Sequence, residues 1–537
     1  MAEQMSQQLT LDRIENRAGV FRAEIRFDIP SNLRGLTIGC PPQTTVTEAD
    51  GFRTDGRQQL RWNGNQTSPT ATMRVEVADG RAGFVSAHVD TGAWAIVEAP
   101  SVLSRWRFVG EQPDYQRSVT VSGDGVSSSD GALVYLGPHE EHRHTDGEQL
   151  LRLVVPESAE LQENPRDILD AMATVGSALR VGEADREVVA IAAPTRPVNW
   201  GPGGLQAGAN GFWVRDTARL DSPNTTWLHE YVHTRQNFET TSQTRWLVEA
   251  TAVYLATYHS FVRGDIGERP YYALVNGDRC ADAVLGQPHS WSTPYVPYSK
   301  GAKVAAWLDT KIRAHSTRSL EDVLWAANLA DSTLDLESLE RLTASAIGGQ
   351  TADPEVDSVL SRLHDFVMTR ETPAEFLPAE LEQTPSDPTR IGAHEGVTLS
   401  DALAEAFGDV LGTEIVDGSG KVDEGMVFRS DSADSVISAS DIFDAVDSID
   451  AGGISVIGPD DRIVSDVGDG ENVVSSPARD GDTTSDEGPD MIFTGEQSPG
   501  SGGDHADDTL CTRCRQPLPA AETRVCPNCG WVQERDQ

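Results

Sequence analysis

The sequence predicts a multidomain chain of four units: an N-terminal antiparallel β sandwich or saddle over 18–158, an α/β plus helical domain over 159–378, an acidic, mostly disordered linker over 379–508, and a small metal-bound ribbon over 509–534. Three observations divide it this way. Apolar residues recur with a period of two as far as about residue 155 and with helical spacing from Pro165; carboxylates crowd into the stretch beyond 380; and four of the six cysteines form two Cys-x-x-Cys pairs. At 537 residues the chain is too long for a single core.

The first unit is read from short alternating runs punctuated by Gly, Pro and Asp. Phe21 to Ile29 is the clearest, and Met73 to Val77 has the same period. Further runs at 94–97, 118–121, 132–136 and 150–155 have the spacing of an antiparallel sandwich. The cluster from Pro138 to His144, with three His and two Glu, reads as a solvated charged loop rather than a metal site.

In the second unit Ile168, Leu169, Met172, Val175 and Leu179 share one helix face, and Val188 to Ala193 follows as an apolar strand. The segment 203–214 suits an edge strand able to pair with an extended peptide. Then comes His229-Glu230-Tyr231-Val232-His233. Four residues are about one helical turn, so both imidazoles face one side and can hold a single Zn²⁺, with Glu230 one step round. Ser222 and Pro223 are the expected start of this helix.

Sixteen residues on, Glu249 lies in a second helical pattern carrying Trp246, Leu247, Val253 and Tyr254, with Thr244 as its expected cap. Two His and one carboxylate leave a fourth position for water, whose pKa the metal lowers, and Glu230 is placed to take its proton. The pattern therefore points to a hydrolase. A helix from Tyr298 to Arg313 and a capping box from Ser319 to Asp322 complete the unit, whose helical pattern runs to about Phe376.

Residues 381–510 hold 30 Asp or Glu against five Lys or Arg, too charged to bury the apolar surface that ordering requires. Cys511, Cys514, Cys526 and Cys529 then offer four thiolates at tetrahedral spacing, a closed shell without a substrate position and hence a structural zinc. Cys40 and Cys280 read as ordinary buried thiols. The whole-chain charge of -41 and the scarcity of Lys, four in all, match cytosolic proteins of extreme halophiles. Absence of a basic stripe argues against nucleic acid and anionic lipid as partners, and no apolar run approaches a membrane span, which gives a cytoplasmic expectation.

Residues 160–376 resemble the gluzincin metallopeptidases, most closely the glycyl aminopeptidase family with its aminopeptidase N-like relatives. The resemblance rests on Gly203-Gly204-Leu205-Gln206, on His229 to Thr234, on Trp246-Leu247-Val248-Glu249-Ala250, and on Tyr298-Ser299-Lys300-Gly301-Ala302 with Val304, Leu308, Asp309, Ile312 and Arg313. It implies a thermolysin-like catalytic domain acting on peptides, with Glu249 as the third zinc ligand and Tyr298 steadying the oxyanion. Gly203, Gly204 and Gln206 would contact substrate.

In these relatives the Gln206 position carries a carboxylate that pins the free α-amine; an amide supplies no net charge, so aminopeptidase and endopeptidase action both stand open. Relatives of the glycyl aminopeptidase type often carry a PDZ-like module where this chain has its acidic segment and ribbon. The alternative from another class is a peptide-binding adaptor on the same scaffold, recruiting a protein partner through the ribbon.

Overall fold

The computed structural model describes residues 4–54, 58–81, 84–85, 87–330, 332–348 and 354–376, and the backbone of three short strands at 453–457, 464–468 and 471–475. The first of these strands, Gly453–Ile457, runs antiparallel to Leu103–Phe108. The rest of the acidic segment expected at 379–508, and the four cysteines of the expected ribbon, lie outside the described residues.

Alternating apolar residues do build the N-terminal β structure. In Val20–Asp28, Phe21, Ala23, Ile25 and Phe27 point inward while Arg22, Glu24 and Arg26 face out. This strand lies between Gln4–Arg13 and Thr70–Glu76 in a sheet completed by Thr44–Asp50 and Asp114–Val121. A second sheet brings Leu103–Phe108, Leu33–Gly39 and Gln59–Trp62 side by side. Leu9, Ile25 and Met73 of the first and Leu36, Ile38 and Trp106 of the second share one core. The strand Gln4–Arg13 was not expected. Its polar residues hide the alternation of Met5, Leu9 and Leu11, and it pairs parallel with Asp114–Val121.

The segment expected as a charged loop at 138–144 is instead a strand, His139–Asp146, paired with Gln149–Pro156 in a hairpin that leaves the sandwich. Leu150 to Val154 pair in parallel with Glu187 to Ile191, so the hairpin joins the strands Glu187–Ala193, Gly211–Arg215 and Gly204–Ala207 in a mixed five-stranded sheet. Such a pairing needs a crossover helix, supplied by α1 (Pro165–Ala178), whose Asn164 side chain caps the Arg166 amide. The histidines of the strand His139–Asp146 go to separate neighbours among the described residues: His139 to Gly137 O, His142 to Glu140 and His144 to Asp170.

Among the described residues seven more α-helices follow: α2 (Thr226–His233), α3 (Trp246–Arg263), α4 (Glu268–Val275), α5 (Ala302–His315), α6 (Leu320–Leu329), α7 (Leu336–Ile347) and α8 (Pro354–Met368). The capping box at Ser319 and Asp322 is present at the start of α6. Two expected helix starts are corrected. Thr225, rather than Ser222, precedes α2, because Pro223 and Asn224 form a turn ahead of it. Thr244 does not cap α3; its hydroxyl donates to Leu334 O at 2.5 Å instead. Cys40 and Cys280 are buried free thiols. Among the described residues no helix is long and apolar enough to cross a membrane.

Candidate metal centre

The helix that carries both histidines is buried on nearly all sides. Trp227, Leu228, Tyr231 and Val232 are inaccessible, and Tyr231 donates its hydroxyl to Gln149 Oε1 at 2.7 Å. Close approach to its neighbours depends on glycine. A Cβ on Gly176 of α1 would meet the Tyr231 hydroxyl at 2.3 Å, and one on Gly204 would meet Thr226 Cγ2 at 2.7 Å and Glu230 Oε1 at 2.8 Å. The edge strand Gly204–Ala207 thus lies directly against the Glu230 carboxyl, with the Gln206 backbone hydrogen-bonded to it.

His229, His233 and Glu249 converge. Their metal-binding atoms form a triangle: His229 Nε2 to His233 Nε2 is 3.1 Å, His229 Nε2 to Glu249 Oε2 is 3.2 Å, and His233 Nε2 to Glu249 Oε2 is 3.5 Å. Ligands about 2.0–2.1 Å from a tetrahedral zinc stand about 3.3 Å apart, so the triangle has the dimensions of one face of that polyhedron. Among the described residues this is the group of three or more metal-ligating side chains that closes on one point.

Protonation follows from the surroundings. Gln236 Nε2 donates to Val248 O at 3.1 Å and lies 2.7 Å from Thr251 Oγ1, which turns Gln236 Oε1 toward His233 Nδ1, also at 2.7 Å. His233 Nδ1 must therefore carry a hydrogen, and Nε2 is the nitrogen left facing His229 and Glu249. Asn224 Oδ1 does the same for His229 Nδ1 at 2.9 Å. Asn224 has φ of 51°, a left-handed turn that Asn tolerates, and its amide donates to Thr257 Oγ1 at 3.0 Å.

Helix α3 thereby supplies the carboxylate and also braces both imidazoles, through Thr257 and Asn224 on one side and through Val248, Thr251 and Gln236 on the other. The Glu249 carboxylate aimed at the two ring nitrogens favours a positive charge between them, which a proton on an imidazole or a bound cation supplies. Burial alone would lower His233, yet Glu249, Glu230 and Gln236 outweigh it and lift the imidazole to about 9. Burial would likewise raise Glu249, and the two histidines hold it well below the usual carboxylate range. The donor set fits zinc.

Glu230 is buried, and desolvation raises its carboxyl despite the opposing pull of His229 and His233. Tyr298 sits on a single π-helical turn, Pro297–Gly301, rather than in the α-helix expected from residue 298; α5 begins four residues later. Its ring stacks on His229 at 5.7 Å with planes 12° apart, and its hydroxyl hydrogen-bonds Glu249. Burial and the Glu249 charge push the phenol far above its ordinary value, so it stays a donor.

Gln206 turns its side chain back to donate to Gly208 O. It lines a 730 Å³ cleft with Asp130, Asp185, Thr234, Gln236 and Asn328, a cavity whose walls include none of His229, Glu230, His233, Glu249 and Tyr298. Gly203 has only ordinary clearance from Thr226. The amides Asn224 and Gln236 were not singled out by the sequence; each lies within a helical turn or so of the imidazole it holds, five residues before His229 and three after His233.

No family model matches the chain, and no curated protein matches it. Among solved structures it is similar to an aminopeptidase N family protein from Idiomarina loihiensis at 13% identity and a TM-score of 0.46, over 70% of this chain and 78% of that one. It is also similar to an M1 zinc metallopeptidase from Deinococcus radiodurans at 14% identity and a TM-score of 0.43, over 70% of this chain and 96% of that one. A mutant of the latter bound to a Tyr-Ser-Ala substrate gives 13% and 0.44 with the same coverage.

Proposed function

We propose that the chain is a zinc-dependent peptidase. The observation that carries this is the triangle of His229, His233 and Glu249, whose ring nitrogens and carboxylate oxygen stand at tetrahedral-edge distances beside a buried carboxylate that takes no part in the triangle. Zinc, when bound, supplies the Lewis acidity that brings a water toward ionisation at neutral pH and polarises a carbonyl. His229, His233 and Glu249 hold it. Glu230, its carboxyl raised by burial, takes a proton from the attacking water and passes it to the departing amine.

The Tyr298 hydroxyl donates to the oxygen on which negative charge develops, a contact stronger in the transition state than before it. The edge strand Gly204–Ala207, which lies against the Glu230 carboxyl, offers its backbone to an extended peptide. Gly203, one residue ahead of it, completes the proposed peptide-contacting segment. Cys511, Cys514, Cys526 and Cys529 are read as a second, structural zinc site that serves a protein partner.

The test pairs metal analysis with peptide hydrolysis at high salt, on the wild type and on Glu230→Gln. The variant should keep the catalytic zinc and lose turnover. A Glu230→Gln protein that still hydrolyses peptides sinks the mechanism. Mass spectrometry of products from free and acetylated peptides then separates cleavage at an end from internal cleavage.

A further inference from the structure

Of 43 Lys and Arg residues only four are Lys, and two of these, Lys300 and Lys303, fall within five residues of Tyr298. Both are almost wholly buried, at 1% and 2% exposure, which for lysine requires specific partners. Lys300 Nζ donates to Ala283 O at 2.7 Å and to Thr369 O at 3.0 Å, reaching the loop after α4 and the end of α8 together. Lys303 Nζ pairs with Asp278 Oδ1 at 2.8 Å, and the Asp278 side chain is itself exposed.

The opposite side of the same turn has no slack. A Cβ on Gly301 would meet Ala250 Cβ at 2.9 Å and Trp246 Cε3 at 3.3 Å, so the turn lies flush against α3 beside Glu249. A single π turn does not hold its own geometry well, since its i→i+5 bond, here Ala302 N to Pro297 O, is one of few. The chain thus clamps the turn between α3 and two lysine tethers, and the ring it carries stacks on His229.

We propose that Lys300, supported by Lys303, is a positioning residue for Tyr298: the tethers fix the π turn so that the phenol hydroxyl points at the metal centre. This rests on the peptidase reading for its catalytic meaning. A compact ammonium suits a pocket formed by two backbone carbonyls, where a planar guanidinium does not fit, which accounts for Lys in a chain that otherwise uses Arg. Burial pushes the Lys300 ammonium down to about 8 against the charges of Asp282 and Glu371, and it remains charged at neutral pH.

The experiment uses the full chain labelled with 3-fluorotyrosine at its nine tyrosines, with the Tyr298 resonance assigned by its loss in Tyr298→Phe. In Lys300→Met that resonance should move or broaden, kcat should fall about tenfold with KM unchanged, and zinc should remain bound. The double variant Tyr298→Phe/Lys300→Met should be no slower than Tyr298→Phe alone, because the lysine acts through the tyrosine. Lys300→Arg should not restore the rate.

An unmoved resonance, or losses that multiply in the double variant, overturns the proposal. If Lys300→Met does not fold, Asp278→Asn, at an exposed partner of Lys303, enters the same cycle with a smaller shift and the same non-additivity expected. Should the wild type hydrolyse no peptide, the peptidase reading fails by itself, and the fluorine spectrum still decides whether the tethers hold Tyr298.

Discussion

Gln236 accepts from His233 at 2.7 Å and, through its own amide hydrogens, grips Val248 O at 3.1 Å, so one side chain fixes an imidazole tautomer and ties α2 to the helix that carries Glu249. Replacing it with Leu removes both. The ring of His233 is then free to rotate, and its Nε2 is no longer guaranteed to be the lone-pair nitrogen. Zinc affinity of Gln236→Leu should fall by about 10–100-fold, read by competition with a chromogenic chelator. An affinity equal to the wild type would mean that the tautomer is set elsewhere.

Much of this site was legible in the sequence because it depends on periodicity. His229 and His233 share a helix face whatever surrounds them, and the apolar residues around Glu249 marked a second helix. That Glu249 would reach the pair is a fact of tertiary packing. The bracing amides were hidden for the same reason: Asn224 works by a left-handed turn and Gln236 by a contact with Val248 O, neither of which leaves a periodic trace. The hairpin from His139 to Pro156 shows the complementary limit. Its second strand was legible from the run at 150–155, but the first, wholly polar over His139–Asp146, reads as a loop, and which sheet the pair would join depends on the parallel register of Leu150 with Glu187.

Gly204 admits a sharper test than the ligands do. A Cβ there would lie 2.8 Å from Glu230 Oε1 and 2.7 Å from Thr226 Cγ2. Thr226 is held by the packing of α2, so the Glu230 carboxyl, at the end of a flexible side chain, is the group that must move. Gly204→Ala should therefore displace the Glu230 carboxyl without touching the zinc ligands. The expected result is a fall in kcat of up to about 10²-fold with zinc content unchanged, measured by steady-state hydrolysis and metal analysis. Unchanged kcat would show that Glu230 need not stand where the edge strand holds it.

Acid stability should report on the sheet under the site. Glu141 accepts from Arg152 Nε at 2.8 Å and Nη2 at 3.0 Å, and Arg152 Nη1 continues to Glu187 at 2.9 Å, linking three strands. The hydrogen bonds from Arg152 hold the Glu141 carboxyl down at about 2, with burial opposing and Arg143 assisting. Its folded value lies below its unfolded one of 4.5, so its contribution is complete above 4.5 and is lost as pH falls toward 2. Thermal melts of Glu141→Gln should thus lie below the wild type at neutral pH and converge with it near pH 2. Parallel curves with a constant offset would assign the loss to packing instead of charge.

Under the proposed peptidase reading, residue 206 is the position that sets which end of a peptide is favoured. Its backbone hydrogen-bonds the Glu230 carboxyl and its side chain is folded back onto Gly208 O, so no charge from this position faces a substrate amine. A carboxylate introduced there would be repelled by the acceptor Gly208 O that the amide now satisfies, and would swing toward the cleft that residue 206 lines. In that position it can pair with an ammonium in a partly desolvated site, an interaction stronger than any the neutral amide makes. Gln206→Glu should raise the ratio of kcat/KM for free over acetylated peptides by about tenfold, while leaving zinc content as in the wild type. If the ratio does not move, the α-amine is read by another part of the cleft, and residue 206 serves only as backbone for the edge strand.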